Sequence, residues 1–166
     1  MKKIVVIITT IIFSITLSAD ITKTKDYKYM DKYCKSVGVP SIMKKLSKNI
    51  NDMILNSADE GMMKIDPVTY LLSATYAKYK TDNLILIMRI DVNAFGKLIN
   101  QNKKQTIKFL KTKEGYKIMQ EDNTNMTCSI PQQRVLLENG AMIQHHYFTL
   151  DGEFLLKTKI SKRDCK

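Results

Sequence analysis

The chain of 166 residues has no tryptophan, only three prolines and six glycines, and is short of acid, with 16 Asp and Glu against 27 Lys and Arg. Its glycines form no glycine-rich phosphate loop, dinucleotide fingerprint or nucleophile elbow, motifs that depend on close backbone turns. There are two histidines, and they are adjacent, His145 and His146. On a strand, neighbours point to opposite faces, so these two cannot chelate one ion without a bulge, and no zinc-like spacing of Cys and His accompanies them. Only Arg89, Arg134 and Arg163 are arginines. Arginine reads phosphates and bases by bidentate contact, so a lysine-dominated excess argues against sequence-specific nucleic-acid binding. Beyond the first twenty residues no stretch is apolar enough to span a bilayer. No cofactor or metal is expected from this inventory.

What is present begins with an address. Lys2-Lys3, an uncharged apolar run from Ile4 to Leu17, and Ser18-Ala19 before Asp20 have the three regions of a secretory signal peptide. Residues 1–19 are expected to be that signal, cleaved after Ala19, with an uncleaved inner-membrane anchor as the alternative. No cysteine follows Ala19, so the lipoprotein pattern is missing. The rest, 20–166, is the length of one domain, with 20–26 expected as a flexible arm. It retains 25 basic against 16 acidic residues, a formal charge of +9. This address points to the periplasm or the cell exterior. There, two of the three cysteines, Cys34, Cys128 and Cys165, would be expected to pair. Three pairings exist. Cys128 with Cys165 is favoured because the two flank a block that turns back on itself, leaving Cys34 as a buried small hydrophobe, an intermolecular bridge or a reactive thiol.

Helical spacing of Tyr27, Met30, Tyr33 and Cys34, with Asp26 as cap, predicts a helix ended by Gly38-Val39-Pro40. A second, capped by Ser41, carries Met43, Leu46, Ile50, Met53 and Ile54 on one stripe. Asp66-Pro67 opens a strand in which Val68, Tyr70, Leu72, Ala74 and Tyr76 share a face. Lys80 to Asn83 turns into a partner strand with Leu84, Leu86, Met88, Ile90 and Val92 on one face. One long helix is then expected from Ala94 to about Gln120, interrupted near Gly115, with Phe95, Leu98, Ile99, Ile107 and Leu110 inward. Its outer side carries Lys97, Lys104, Lys108 and Lys111 as a stripe. Glu121 to Asn125 reads as a polar loop.

The last forty residues carry the clearest signals. After Cys128-Ser-Ile-Pro131 come a short helical run, Gln132 to Glu138, then Asn139-Gly140 and two alternating segments joined by Asp151-Gly152. That dipeptide predicts a two-residue type I′ turn, with positive φ at both positions. The register then sets Thr149 opposite Phe154, Tyr147 opposite Leu156, His145 opposite Thr158 and Ile143 opposite Ile160, all on one face, with the other face wetter. The expected class is α+β, a four-stranded antiparallel sheet made of two hairpins (about 68–92 and 141–160) with helices packed on one face.

The spacing Cys128-x-x-Pro131-x-x-Arg134-x-Leu136-Leu137-x-x-Gly140-x-x-Ile143, followed by Tyr147, Asp151-Gly152 and Cys165, resembles the C-terminal block of small exported bacterial envelope proteins. His145 stands where such proteins carry an aromatic residue. The resemblance implies an envelope location and supports the Cys128–Cys165 bridge, and it implies no catalytic residues.

These readings point to a non-enzymatic periplasmic or secreted module that binds another envelope protein. The alternative is a peripheral binder of anionic lipid headgroups or envelope polysaccharide using Lys97, Lys104, Lys108 and Lys111, whose plain counterpart is a solvated helix face. A Cys34-His145 nucleophilic pair would need an orienting residue and an oxyanion site, and nothing in the sequence marks either. The carboxylate pairs Asp59-Glu60 and Glu121-Asp122 read as solvated turns.

Overall fold

The computed structural model describes residues 21–57 and 61–165. The signal-like stretch 1–19 and the Asp59-Glu60 pair lie outside them. Within 20–26, expected as an arm, Ile21–Lys23 form a single 3-10 turn. Thr24, not Asp26, caps the first helix: its hydroxyl accepts from the Tyr27 N–H at 3.2 Å, satisfying an amide that a helix start leaves free. Helix α1 (Lys25–Val37) stops at Gly38, whose φ of 86° lets its N–H return to the Cys34 carbonyl at 2.9 Å. Pro40 sits in the first turn of α2 (Val39–Leu55), where its missing N–H is no loss. Met43, Ser47 and Ile54 form the buried side of α2, while Met53, expected on that stripe, is 58% exposed.

Strands β1 (Met63–Lys64), β2 (Thr69–Lys78) and β3 (Asp82–Ile90) follow; then come helices α3 (Val92–Leu98), α4 (Lys103–Leu110), α5 (Lys113–Ser129) and α6 (Pro131–Glu138), and finally β4 (Met142–Thr149) and β5 (Phe154–Ile160). The class is α+β as expected, but the sheet is five-stranded and mixed rather than four-stranded and antiparallel. Its order is β1-β2-β3-β4-β5, and β3 and β4 run parallel. The two hairpins are therefore joined side by side through a four-helix connection, and only a crossover of that kind makes neighbours parallel. The extra strand, β1, is two residues long and pairs Met63 with Leu71 and Lys64 with Tyr70.

The single helix expected over 94–120 is three helices. Asn100 at φ 55° turns the chain after α3, and the Gln101 N–H returns to the Gly96 carbonyl at 2.8 Å. Gly96 has no room for a side chain, because a Cβ there would lie 2.5 Å from the Gln101 carbonyl oxygen and 2.6 Å from Thr106 Oγ1. Asn102 and Gln105 then form a capping box for α4, and Thr112 caps α5 through the Gly115 N–H. Helix α5 continues through Glu121–Asn125, the expected loop, so Cys128 lies in its last turn. Leu98, expected inward, is 44% exposed.

The final hairpin keeps the expected register from Ile143–Ile160 to Tyr147–Leu156, and then Phe148 pairs with Phe154, which makes Leu155 a bulge. The turn is not type I′: Gly152 has φ 88°, but Asp151 is not among the positive-φ residues. The Gly152 N–H donates to the Thr149 carbonyl at 3.0 Å and the Thr149 N–H to the Glu153 carbonyl at 2.8 Å, a three-residue loop with glycine in the left-handed position. A second bulge, between Leu71 and Ser73, reverses the inward parity of β2. Thr69 and Leu71 point inward before it and Ala74 after it, so Tyr70 and Leu72 leave the face the sequence assigned them.

Both free edges of the sheet are met by a side-chain amide. On β2, beyond the end of β1, Asn51 of α2 donates to the Ala74 carbonyl at 2.9 Å and accepts from the Ala74 N–H at 2.7 Å. On β5, Gln120 of α5 donates to the Lys159 carbonyl at 2.7 Å and accepts from its N–H at 3.2 Å. Each carboxamide stands in for the peptide group of a further strand, which is how an edge is kept from pairing with another chain.

Candidate functional site

The two faces of the sheet differ in what their alternate residues meet. On the helix-covered face, Leu71, Ala74, Leu84, Leu86, Met88, Ile90, Ile143, Tyr147, Leu156 and Ile160 are all buried. The cross-strand pairs place the opposite parity in rows: Lys64, Tyr70, Arg89, Phe148 and Phe154 in one, then Ser73, Ile87, His146 and Lys157, then Thr75, Ile85, Gln144 and Lys159. Of these only Gln144 is fully buried, and it donates to Asn83 Oδ1 at 2.7 Å. The others are half-buried or exposed. Lys64 Nζ lies 5.7 Å from the Tyr70 ring centre, and Phe148 and Phe154 meet edge to face at 5.5 Å. This open face joins aromatic and aliphatic side chains to the cations Lys64, Arg89, Lys157 and Lys159, and none of its strand positions is acidic. Alternation in the sequence marks this face only as the wetter one, because it does not show which side chains lie across from one another.

The adjacent histidines fall on opposite faces, as expected. His145 is 1% exposed under α5, and burial, aided by His146, pushes its pKa down to about 4. Its neighbours form a closed polar chain: Thr158 Oγ1 is 3.4 Å from His145 Nδ1, Asn123 Nδ2 donates to Thr158 Oγ1 at 2.9 Å, and the Tyr147 hydroxyl donates to Asn123 Oδ1 at 2.8 Å. Burial raises the Tyr147 pKa. His146 is half-buried on the open face, 3.2 Å from Gln144 Oε1, with its pKa lowered first by burial and then by Lys157 and Lys159.

Cys128 and Cys165 are bridged, with Cα atoms 5.5 Å apart, tying the end of α5 to the chain beyond β5. Cys34 is free and 2% exposed on α1, and burial, followed by the Asp31 charge, raises its thiol pKa. A buried, protonated thiol is a poor nucleophile. His145 lies beneath α5 instead, so the two are not presented as a pair.

The four stripe lysines do not share one helix. Lys97 is on α3, Lys104 and Lys108 are on α4, and Lys111 ends α4 with its ammonium 2.6 Å from Glu153. Lys103, which lies off that stripe, reaches Asp151 at 2.7 Å. Glu121 and Asp122 are helical rather than in a turn, and burial followed by Glu121 raises the Asp122 pKa. Among the described residues no cluster of His, Cys, Asp and Glu is arranged to hold a metal ion, and no helix is long and apolar enough to cross a membrane. Two shallow grooves of about 440 Å³ mark the surface, one between α2 and β2 over Asn51 and Tyr76, the other between α5 and Arg163-Asp164.

An α+β domain built on a mixed five-stranded sheet is thus the class these features define. No family model matches the chain, and no curated protein sequence matches it. Among solved structures it is similar to a candidate secreted protein from Pseudomonas aeruginosa, with a TM-score of 0.53, 10% identity, and coverage of 77% of this chain and 96% of that one. It is also similar to EpsS, the pilotin of the Vibrio vulnificus type 2 secretion system, with a TM-score of 0.50, 12% identity, and coverage of 77% and 96%. At these identities the likeness is one of fold.

Proposed function

We propose that this protein is a non-enzymatic accessory protein of the bacterial cell envelope, exported by the signal at 1–19, that binds another protein through the open face of its sheet. The observation that carries this reading is the face itself, where Ile85, Ile87, Phe148 and Phe154 stand partly uncovered among cations while the opposite face is filled. The disulfide fits an oxidising compartment, and a shared fold with an exported candidate and a secretion-system pilotin supports an envelope role.

The test is recovery of a partner from the cells that make the protein. Ile85→Asp with Ile87→Asp is expected to abolish co-purification. Met53→Asp with Leu55→Asp, which alters exposed apolar side chains on α2, is expected to leave it intact. Loss in both pairs, or in neither, would remove the reading. A second reading, peripheral attachment to anionic lipid or envelope polysaccharide, rests on the exposure of Lys97, Lys104 and Lys108. Replacing those three by glutamine is expected to leave retention on anionic vesicles unchanged, and a clear drop would favour the second reading.

A further inference from the structure

We propose that the segment received by the open face is an acidic polypeptide, laid across the strands with its carboxylates on Arg89, Lys157 and Lys159 and its apolar side chains against Phe148 and Phe154. This rests on the protein-binding reading above and names the chemistry of the partner.

The argument starts from where the protein's own carboxylates are. Asp151 and Glu153, at the tip of the last hairpin, are paired with Lys103 and Lys111 of α4. Asp82, at the start of β3, accepts from the Tyr76 hydroxyl at 2.6 Å. Glu138 is shared by Arg134 and Lys162, each at 2.8 Å. Asp66 accepts from the Val68 and Thr69 N–H groups at 2.8 Å each, and Asp91 caps α3, so these acids already have partners of their own. On the open face, Arg89, Lys157 and Lys159 have no carboxylate partner among the described residues, and the one polar contact of Arg89 is with the sulfur of Met62 at 3.9 Å. Arg89 is half-buried beside Phe148, its cross-strand neighbour. A partly desolvated guanidinium beside an aromatic ring is the pairing that protein interfaces favour, and it gains most from a carboxylate.

Two further observations narrow the mode of binding. Asn51 and Gln120 occupy the edge positions at Ala74 and Lys159, so the segment meets side chains on the face rather than extending the ladder there. Ile85, Ile87 and Phe148 are half-buried among the cations, and of the apolar side chains at the described strand positions of this face only Phe154, 49% exposed, stands clear. One ring offers little to insert into a bilayer, which favours a polypeptide over a lipid surface.

The experiment places a photo-crosslinking residue at Thr75, exposed on the open face, in the full chain expressed in its native cells, and maps the crosslinked products by mass. The expected product is a polypeptide segment rich in Asp and Glu. Yield is expected to fall tenfold or more with Lys157→Glu and Lys159→Glu, and to stay within twofold with Lys104→Glu and Lys108→Glu. The uncharged pair Lys157→Gln and Lys159→Gln, expected to lose at least threefold, keeps the test open if charge reversal perturbs folding. A polypeptide without acidic excess, or yields indifferent to Lys157 and Lys159, would overturn the acidic partner and leave the protein-binding reading standing. Lipid or polysaccharide products alone, or none from this face, would overturn both.

Discussion

The two faces of this one sheet are built on opposite terms. Beneath the helices, polar side chains are buried in a closed chain from Tyr147 through Asn123 and Thr158 to His145, and the acids at the last hairpin are matched by lysines of α4. On the other side of the strands, Arg89, Lys157 and Lys159 face outward without carboxylates among the described residues, and aromatic rings are left partly uncovered. Closed polar chains stabilise a fold and leave nothing to offer a partner. Unmatched cations beside apolar side chains add little to folding and are suited to recognition.

The largest effect that would sharpen this contrast belongs to the helix side. Replacing Cys128 and Cys165 by serine opens a loop with a sequence separation of 37 residues. It is expected to lower stability by about 4 kcal/mol on the chain-entropy account, read from urea unfolding. A loss near zero would mean that the helix layer does not need the bridge.

The histidines provide a paired measurement. His145 has a folded pKa of about 4 against 6.5 when unfolded. Between those values the unfolded chain binds a proton that the folded one refuses. Stability is therefore fully present above pH 6.5 and declines as pH falls towards 4, by about 3 kcal/mol in all. His146 on the open face is lowered too, but it is half-buried, so its share of the slope is smaller. Unfolding midpoints across pH 4 to 7 are expected to flatten in His145→Gln and to change little in His146→Gln. Equal flattening would erase the distinction between the faces.

The smallest folding effect is expected at the edges. Asn51→Leu and Gln120→Leu each remove two hydrogen bonds to backbone, a cost of about 1 kcal/mol apiece. Their visible consequence is self-association through the uncovered strands, measured by sedimentation. A double variant that stays monomeric would show that the amides are not what keeps the edges apart.

Much of the helix side was legible in the sequence. The strand expected from Leu84 to Val92, which stops at Ile90 because Val92 opens α3, the register of Ile143, His145 and Tyr147, the short helix before them and the Cys128–Cys165 bridge all follow from alternation and flanking position. The bulge between Leu71 and Ser73 was not legible, because alternation runs on through Tyr70 and Leu72 unbroken. The parallel pairing of β3 and β4 was equally hidden, since it depends on where four helices return the chain. The breaks between helices had signals, Asn102 with Gln105 and Thr112 as caps, overridden by a continuous lysine spacing. The open face emerges only once those pairings are fixed, because its cations come from β1, β3 and β5.

The most direct measurement of the contrast uses the methionine methyl groups as reporters in the isolated complex. Met62 and Met142 are half-buried at the open face, with Met62 beside Arg89 and Met142 beside Gln144, while Met53 is exposed on α2. Carbon-13 methyl spectra with and without the co-purified partner are expected to shift or broaden Met62 and Met142 and to leave Met53 unmoved. Movement of Met53 with Met62 and Met142 unchanged would place the partner on the helices and contradict the account.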